Sequence, residues 1–176
     1  MKTIATIETR LSVKPYDARQ ANHSMKSLIR KLLSTESLVG PLVARLFLAV
    51  VIFPHGAQKV LGWFGGYGLS GTLKFFNETF HISTPLALLA IAAEFLAPLA
   101  LLAGLGSRLA ALSIAVTMAV AMQFHLANGF FMNWFGNQKG EGFEYHILMI
   151  GLTLVVMIQG GGRYSADRSL TNSRSW

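Results

Sequence analysis

Six side chains that can carry charge or protons interrupt otherwise apolar stretches of this 176-residue chain: His55 and Lys59 in FPHGAQKVLGWFGG, Glu94 in ALLAIAAEFLAPLALLAG, His125 in MQFHLANGFF, and Glu144 with His146 in EGFEYHILMIG. An ionisable group in such a run is costly unless it meets a partner or faces a cavity. Helical spacing puts His55 and Lys59 on one face at i and i+4. It does the same for His125 and Asn128 at i and i+3, and for Glu141 and Glu144 if that turn is helical. Glu94 stands alone in an apolar stretch, and an ionised carboxylate there needs a cation or stays neutral. Lys59, His55 and Arg45 are the candidate cations.

Histidine, lysine and carboxylate together can hydrogen-bond the carbonyls of a quinone and deliver or remove its protons. On that reading His55, Lys59, Glu94 and His125 handle protons, and Arg45, Asn128, Glu141, Glu144, His146 and Trp63 contact the substrate. Two facing histidines drawn from His55, His125 and His146 could instead ligate haem between helices, a reading ranked below quinone. No HxH or HExxH spacing is present, so no metal centre is expected. The chain has no cysteine, which excludes disulfides, thiolate ligands and a Cys nucleophile within it. Each residue also has a blander use. Lys59 and Arg45 can snorkel to an interface, His125 and Glu144 lie near enough to one to be simply wet, and Glu94 can be a structural bridge. The case for a site rests on their convergence.

The elements that would bring them together are membrane helices. The chain is 52% hydrophobic and 13% charged, where a soluble domain carries about a quarter charged residues, and its mean hydropathy is +0.47. Four stretches, 41–61, 85–104, 107–127 and 143–160, approach the ~20 residues that cross a bilayer as helix. The expectation is an all-α membrane protein, an antiparallel bundle of four transmembrane helices spanning residues 40–161. Period-two alternation is not evident, which argues against a barrel. At about 1.5 Å per residue, His55 lies roughly 9 Å from the outer end, Glu94 roughly 14 Å, His125 roughly 5 Å, Glu144 about 3 Å and His146 about 6 Å. All fall in the outer half. Arg45 lies roughly 6 Å in from the opposite side.

Charge sets the expected orientation. Eleven Lys/Arg (seven before residue 40, Arg108, and three after residue 160) fall on the side shared by both termini, against Lys74 and Lys139 on the other. The positive-inside rule puts both termini in the cytoplasm. Basicity is thereby accounted for, and with few aromatic residues among the basic ones no nucleic-acid partner is expected. Residues 1–39 form a basic cytoplasmic tail in which 24–35 has the spacing of an amphipathic interfacial helix, and 162–176 form a C-terminal tail. The loops 62–84 and 128–142 are rich in aromatic residues, as an interfacial belt or as a lid over the site.

The stretches RLFLAVVIFPHGAQKVLGWFGG, AAEFLAPLALLAGLGSRLAAL, HLANGFF and EGFEYHILMIGLTLVVMIQGGGRYSADRSL occur in the order found in the DoxX/DoxD family, and the chain resembles that family over about residues 40–170. The resemblance implies a four-helix inner-membrane protein. The family's namesake is a subunit of a thiosulfate:quinone oxidoreductase, so it also implies a small subunit linked to quinone or thiol redox. The family's recurring polar positions fall on Arg45, His55, Gly56, Lys59, Glu94, Arg108, His125, Asn128, Gly129, Glu141, Gly142 and Glu144. Three functions stay open at this level: an oxidoreductase subunit working with a redox-protein partner, a non-catalytic assembly or anchor subunit, and a small-solute or proton transporter acting as a homo-oligomer.

Overall fold

The computed structural model describes residues 18–173; residues 1–17 of the basic N-terminal segment and 174–176 lie outside the described residues. Among the described residues there are seven α-helices and no strand: α1 (Ala18–Leu33), α2 (Val39–Leu61), α3 (Gly68–Phe80), α4 (Thr84–Ala103), α5 (Ser107–His125), α6 (Glu144–Gln159) and α7 (Ala166–Ser173). Three are long and apolar enough to cross a membrane: α2, α4 and α5, the last carried by a 3-10 turn through Asn128. The fourth apolar stretch is the 16-residue helix α6, about 24 Å of rise against a hydrocarbon core of about 30 Å.

Local chemistry explains the boundaries. Pro41 and Pro85 sit in the first turns of α2 and α4, where their missing N–H is not needed. Both helices run on through Pro54 and Pro98, and α4 ends at Gly104 in the left-handed region (φ 66). The segment 62–84, expected as an aromatic loop, contains helix α3. Its GLSGTLKFFNETF is short and carries glycine at its first and fourth positions, so it reads as loop until Thr72 is seen buried against α2.

Helix α2 packs against α4 and α6, and α5 packs against the same two. The core is built of small residues (Ala44, Ala49, Ala97, Ala110, Ala111) around Leu48, Ile52, Leu101, Ile114, Met118, Met149 and Val156. Phe47, Val50, Leu89, Leu148 and Ile158 face outward with more than 60% exposure. Large apolar side chains outside and alanine inside suit lipid as the solvent, with helices held by close van der Waals approach. That approach is tightest at Gly56, where a Cβ would collide with the Glu94 carbonyl and the Phe95 Cα.

The end where α4 and α6 finish and α2 and α5 begin is closed by buried charge. Arg45, 2% exposed, donates from Nη1 to the carbonyls of Leu101 (2.5 Å) and Leu102 (2.8 Å), and from Nη2 to that of Tyr164 (2.9 Å). Arg108 does the same for α6, donating to the Met157 and Ile158 carbonyls and, from Nη2, to that of Ser34 (3.0 Å). Residues 162–173, expected as part of the C-terminal tail, fold back over this end. Asp167, 1% exposed, accepts from the Gly106 N–H (2.7 Å) and the Ser107 N–H (2.9 Å), capping α5. Thr35 stitches the α1–α2 link to the same region by donating to the Gln159 carbonyl (3.1 Å) and accepting from the Gly162 N–H (2.8 Å). Helix α1 is longer than the expected 24–35. It touches α7 and α5, and leaves Met25, Leu28 and Ile29 exposed beside Lys26, Arg30 and Lys31.

Asp167→Ala strands two buried N–H donors at about 1–3 kcal/mol each. The expected outcome is a clearly lowered thermal midpoint in mild detergent and a smaller monodisperse fraction on size exclusion. Asp167→Asn should also lose stability, because one of its two terminal atoms is a donor facing a donor.

Candidate functional site

At the opposite end of α2, about 21 Å from Arg45 along the helix axis, Lys59 Nζ lies 2.5 Å from Glu94 Oε2, the one salt bridge among the described residues. The Glu94 side chain is 9% exposed and that of Lys59 23%. The glycine at position 56 brings α2 and α4 together, and Lys59 lies one turn beyond it, so the close crossing delivers the ammonium to the carboxylate. Thr72 of α3 donates to the Lys59 carbonyl (3.3 Å), tying α3 to the same turn.

Lys59 also lines a cavity of about 250 Å³ between α2, the 63–65 turn and α3. Its other walls are Gln58, Tyr67, Thr72, Phe75 and Phe76, with the backbone of Gly65 and Gly66. The cavity thus offers one ammonium, one amide and two hydroxyls (Thr72 and Tyr67), with three aromatic rings. Trp63 stands outside it, more than half exposed and edge-on to Phe64 at 6.3 Å.

The remaining expected site residues fall into separate groups. His125 Nδ1 and Asn128 Nδ2 both lie 3.0 Å from the Glu141 carbonyl oxygen. The Glu141 carboxylate accepts from the Asn133 N–H (2.8 Å), and Glu144 accepts from the Met132 N–H (3.2 Å) and from Trp134 Nε1 (3.4 Å). Both carboxylates are therefore committed to folding the 129–143 loop; residue 141 precedes α6, so the two do not share a helical face. His146 is buried with its ring 4.7 Å from that of His125. His55 is exposed, and its ring lies 6.2 Å from Tyr145. Arg45 is far from all of these and serves the helix ends described above.

Sequence reasoning passed over Tyr145, Gln58 and Thr72. Tyr145 lies next to His146 in the apolar stretch of α6, where a tyrosine reads as ordinary interface. In the structure its hydroxyl is buried without a hydrogen-bond partner, and its ring lies between those of His55 and His146. Only the arrival of α3 beside α2 turns Gln58 and Thr72 into lining residues.

An all-helical chain with apolar spans, outward-facing large side chains and a buried Lys–Glu pair between two of those spans defines a membrane protein. Residues 40–134 match the DoxX family, and the chain belongs to that family. The matched stretch covers α2 to α5 and ends at Trp134, before α6. No curated relative and no solved structure matches the chain.

Removing one member of a buried ion pair strands the other, at on the order of 3 kcal/mol, whereas removing both is far milder. Glu94→Leu and Lys59→Met should therefore each lower the thermal midpoint in detergent. The Lys59→Met/Glu94→Leu double variant should recover most of the loss. Additive losses in this double-mutant cycle would show that the two side chains are not coupled.

Proposed function

We propose that the chain is a four-span subunit of a quinone- or thiol-linked redox system in a bacterial inner membrane, with both termini cytoplasmic and a polar pocket in the outer half. The eleven basic residues at the end shared by both termini, against two in the connections at the Lys59 end, support that orientation. Helix α6 serves as the fourth span, its shortness accommodated by local thinning of the bilayer.

The observation that carries the reading is Lys59, paired with the buried Glu94, lining an aromatic cavity. At about 250 Å³ the cavity is smaller than the roughly 300–1,000 Å³ of sites that enclose a drug-sized ligand. That suits a single carbonyl-bearing ring whose apolar tail lies outside among lipids. Tyr67, Phe75 and Phe76 would pack on the ring faces, and the Lys59 ammonium would donate to a carbonyl oxygen. Glu94 would hold that ammonium in place and exchange protons with it. Lysine suits this role better than arginine, since it can release a proton in a desolvated site. As the chain has no cysteine, electrons would come from a redox partner or a second substrate.

A second reading, a non-catalytic assembly or anchor subunit, is favoured by one observation. Phe131, Trp134 and Phe135 are 70–90% exposed in the 129–143 loop at the same end, as a surface that docks a protein partner would be.

The test is equilibrium binding of a short-chain quinone analogue to the detergent-purified protein, alongside extraction and quantification of any native quinone. Saturable binding at one per chain is expected, weakened at least tenfold in Lys59→Met and in Thr72→Val/Gln58→Leu. Folded wild-type protein that binds no analogue and carries no quinone would return the chain to the assembly role.

A further inference from the structure

The cavity uses α2, α3 and the turn between them. A second set of groups, on α2, α6 and α5, approaches the same ion pair and has no part in lining that cavity. Four titratable rings follow one another: His55 and Tyr145 with centroids 6.2 Å apart, Tyr145 and His146 at 5.5 Å, and His146 and His125 at 4.7 Å. Each of these rings carries polar atoms that packing alone does not require.

Two of those atoms are buried without a partner, the Tyr145 hydroxyl and His146 Nδ1, and His146 as a whole is 6% exposed. A polar atom left unpaired in this way costs about 1–3 kcal/mol, and proteins meet the cost with bound water where the site is polar enough to hold it. The far end of the row has a fixed sense. His125 Nδ1 lies 3.0 Å from the Glu141 carbonyl, and because a carbonyl only accepts, Nδ1 carries the proton and Nε2 is the basic atom. His125 is half-buried, beside the loop that Glu141 and Glu144 fold. At the near end, His55 adjoins Gly56, the residue that lies against the Glu94 carbonyl, and stands one helical turn from Lys59.

We propose that His125, His146, Tyr145 and His55 form a water-assisted proton path between the surface at the 129–143 loop and the Lys59–Glu94 pair. Moving inward, a proton adds to His125 Nε2 and makes an imidazolium, which passes it to a neutral ring nitrogen of His146. Tyr145 takes a proton from the His146 side as its own hydroxyl proton leaves for His55. His55 then protonates the Glu94 carboxylate. Each ring returns to its starting charge, one proton has entered and one has been delivered, and no electrons move. The groups that bear on this path are His55 and Lys59 from α2, Glu94 from α4, His125 from α5, and Tyr145, His146 and Glu144 from α6, with Glu141 in the loop.

The path can be tested without any quinone, so its failure is distinct from failure of the cavity reading. A Lys59→Met background removes the cation paired with Glu94, and the measurement is made at a pH acidic enough to keep that carboxyl protonated. The Glu94 carboxyl C=O stretch, assigned by the difference from Lys59→Met/Glu94→Gln, then reports exchange after rapid transfer into D2O. Adding Tyr145→Phe or His146→Phe should slow that exchange at least tenfold. The Tyr145→Phe protein should meanwhile keep or raise its thermal midpoint, because the change removes a hydroxyl that has no protein partner. Exchange at the same rate in all three backgrounds would overturn the proposal. So would a Tyr145→Phe protein that loses stability while its exchange is unchanged, since the hydroxyl would then be a structural group.

Discussion

The last carbonyls of a helix have no partner within it, and once they are buried between packed segments no water takes their place. Arg45 resolves this for α4 by reaching across from α2 to two of its terminal carbonyls and to a third in the 163–164 segment. Because a guanidinium presents its donors as a rigid fork, the contact fixes how far α2 slides along α4. Eleven residues further along α2, that setting brings Gly56 against the Glu94 carbonyl, and three residues beyond it brings Lys59 to the Glu94 carboxylate. The ion pair at one end is thus held in register by a capping contact at the other. Arg108 plays the equivalent part for α6, and the positive charge of both arginines opposes the partial negative charge of the helix ends they cover.

Helix α2 therefore carries two cations with different prospects. The guanidinium of Arg45 is spread over carbonyls from two segments and is all but sealed. Lys59 has a single carboxylate partner, opens on a cavity and keeps 23% exposure. The first arrangement is hard to rearrange without unpicking helix ends. The second can change with the protonation of one carboxylate, which is the property a site needs. The 129–143 loop stands between these extremes, since its two carboxylates are spent on its own backbone N–H groups and its aromatic rings are left outside.

Helix positions were legible because hydropathy and Pro/Gly punctuation act locally: the apolar stretches begin and end within two residues of α2, α4, α5 and α6. The closeness of Lys59 and Glu94 was legible because a lone carboxylate at that depth has few cations to choose from. Arg45 was not, since depth alone cannot distinguish a snorkelling arginine from one that caps a neighbour's carbonyls. Asp167 was hidden for a similar reason. In a polar segment rich in Arg and Ser, nothing local marks the one side chain that will be 1% exposed. The α3 helix was hidden by its shortness and its two glycines, and the cavity it makes with α2 exists only once the two helices pack.

The cap that Asp167 places on α5 links residues about sixty positions apart in the chain. Proteins are made from the N-terminus at roughly 5–20 residues per second. The start of α5 consequently waits several seconds, with its first N–H groups unanswered, while α6 and the glycine-rich segment after it are still being synthesised. Through that interval the ends of α4 and α5 must be held by lipid headgroups, water or the insertion machinery. The helices can enter the bilayer one after another, but the end of the molecule where they meet is finished only when the segment containing Asp167 emerges and folds back over it.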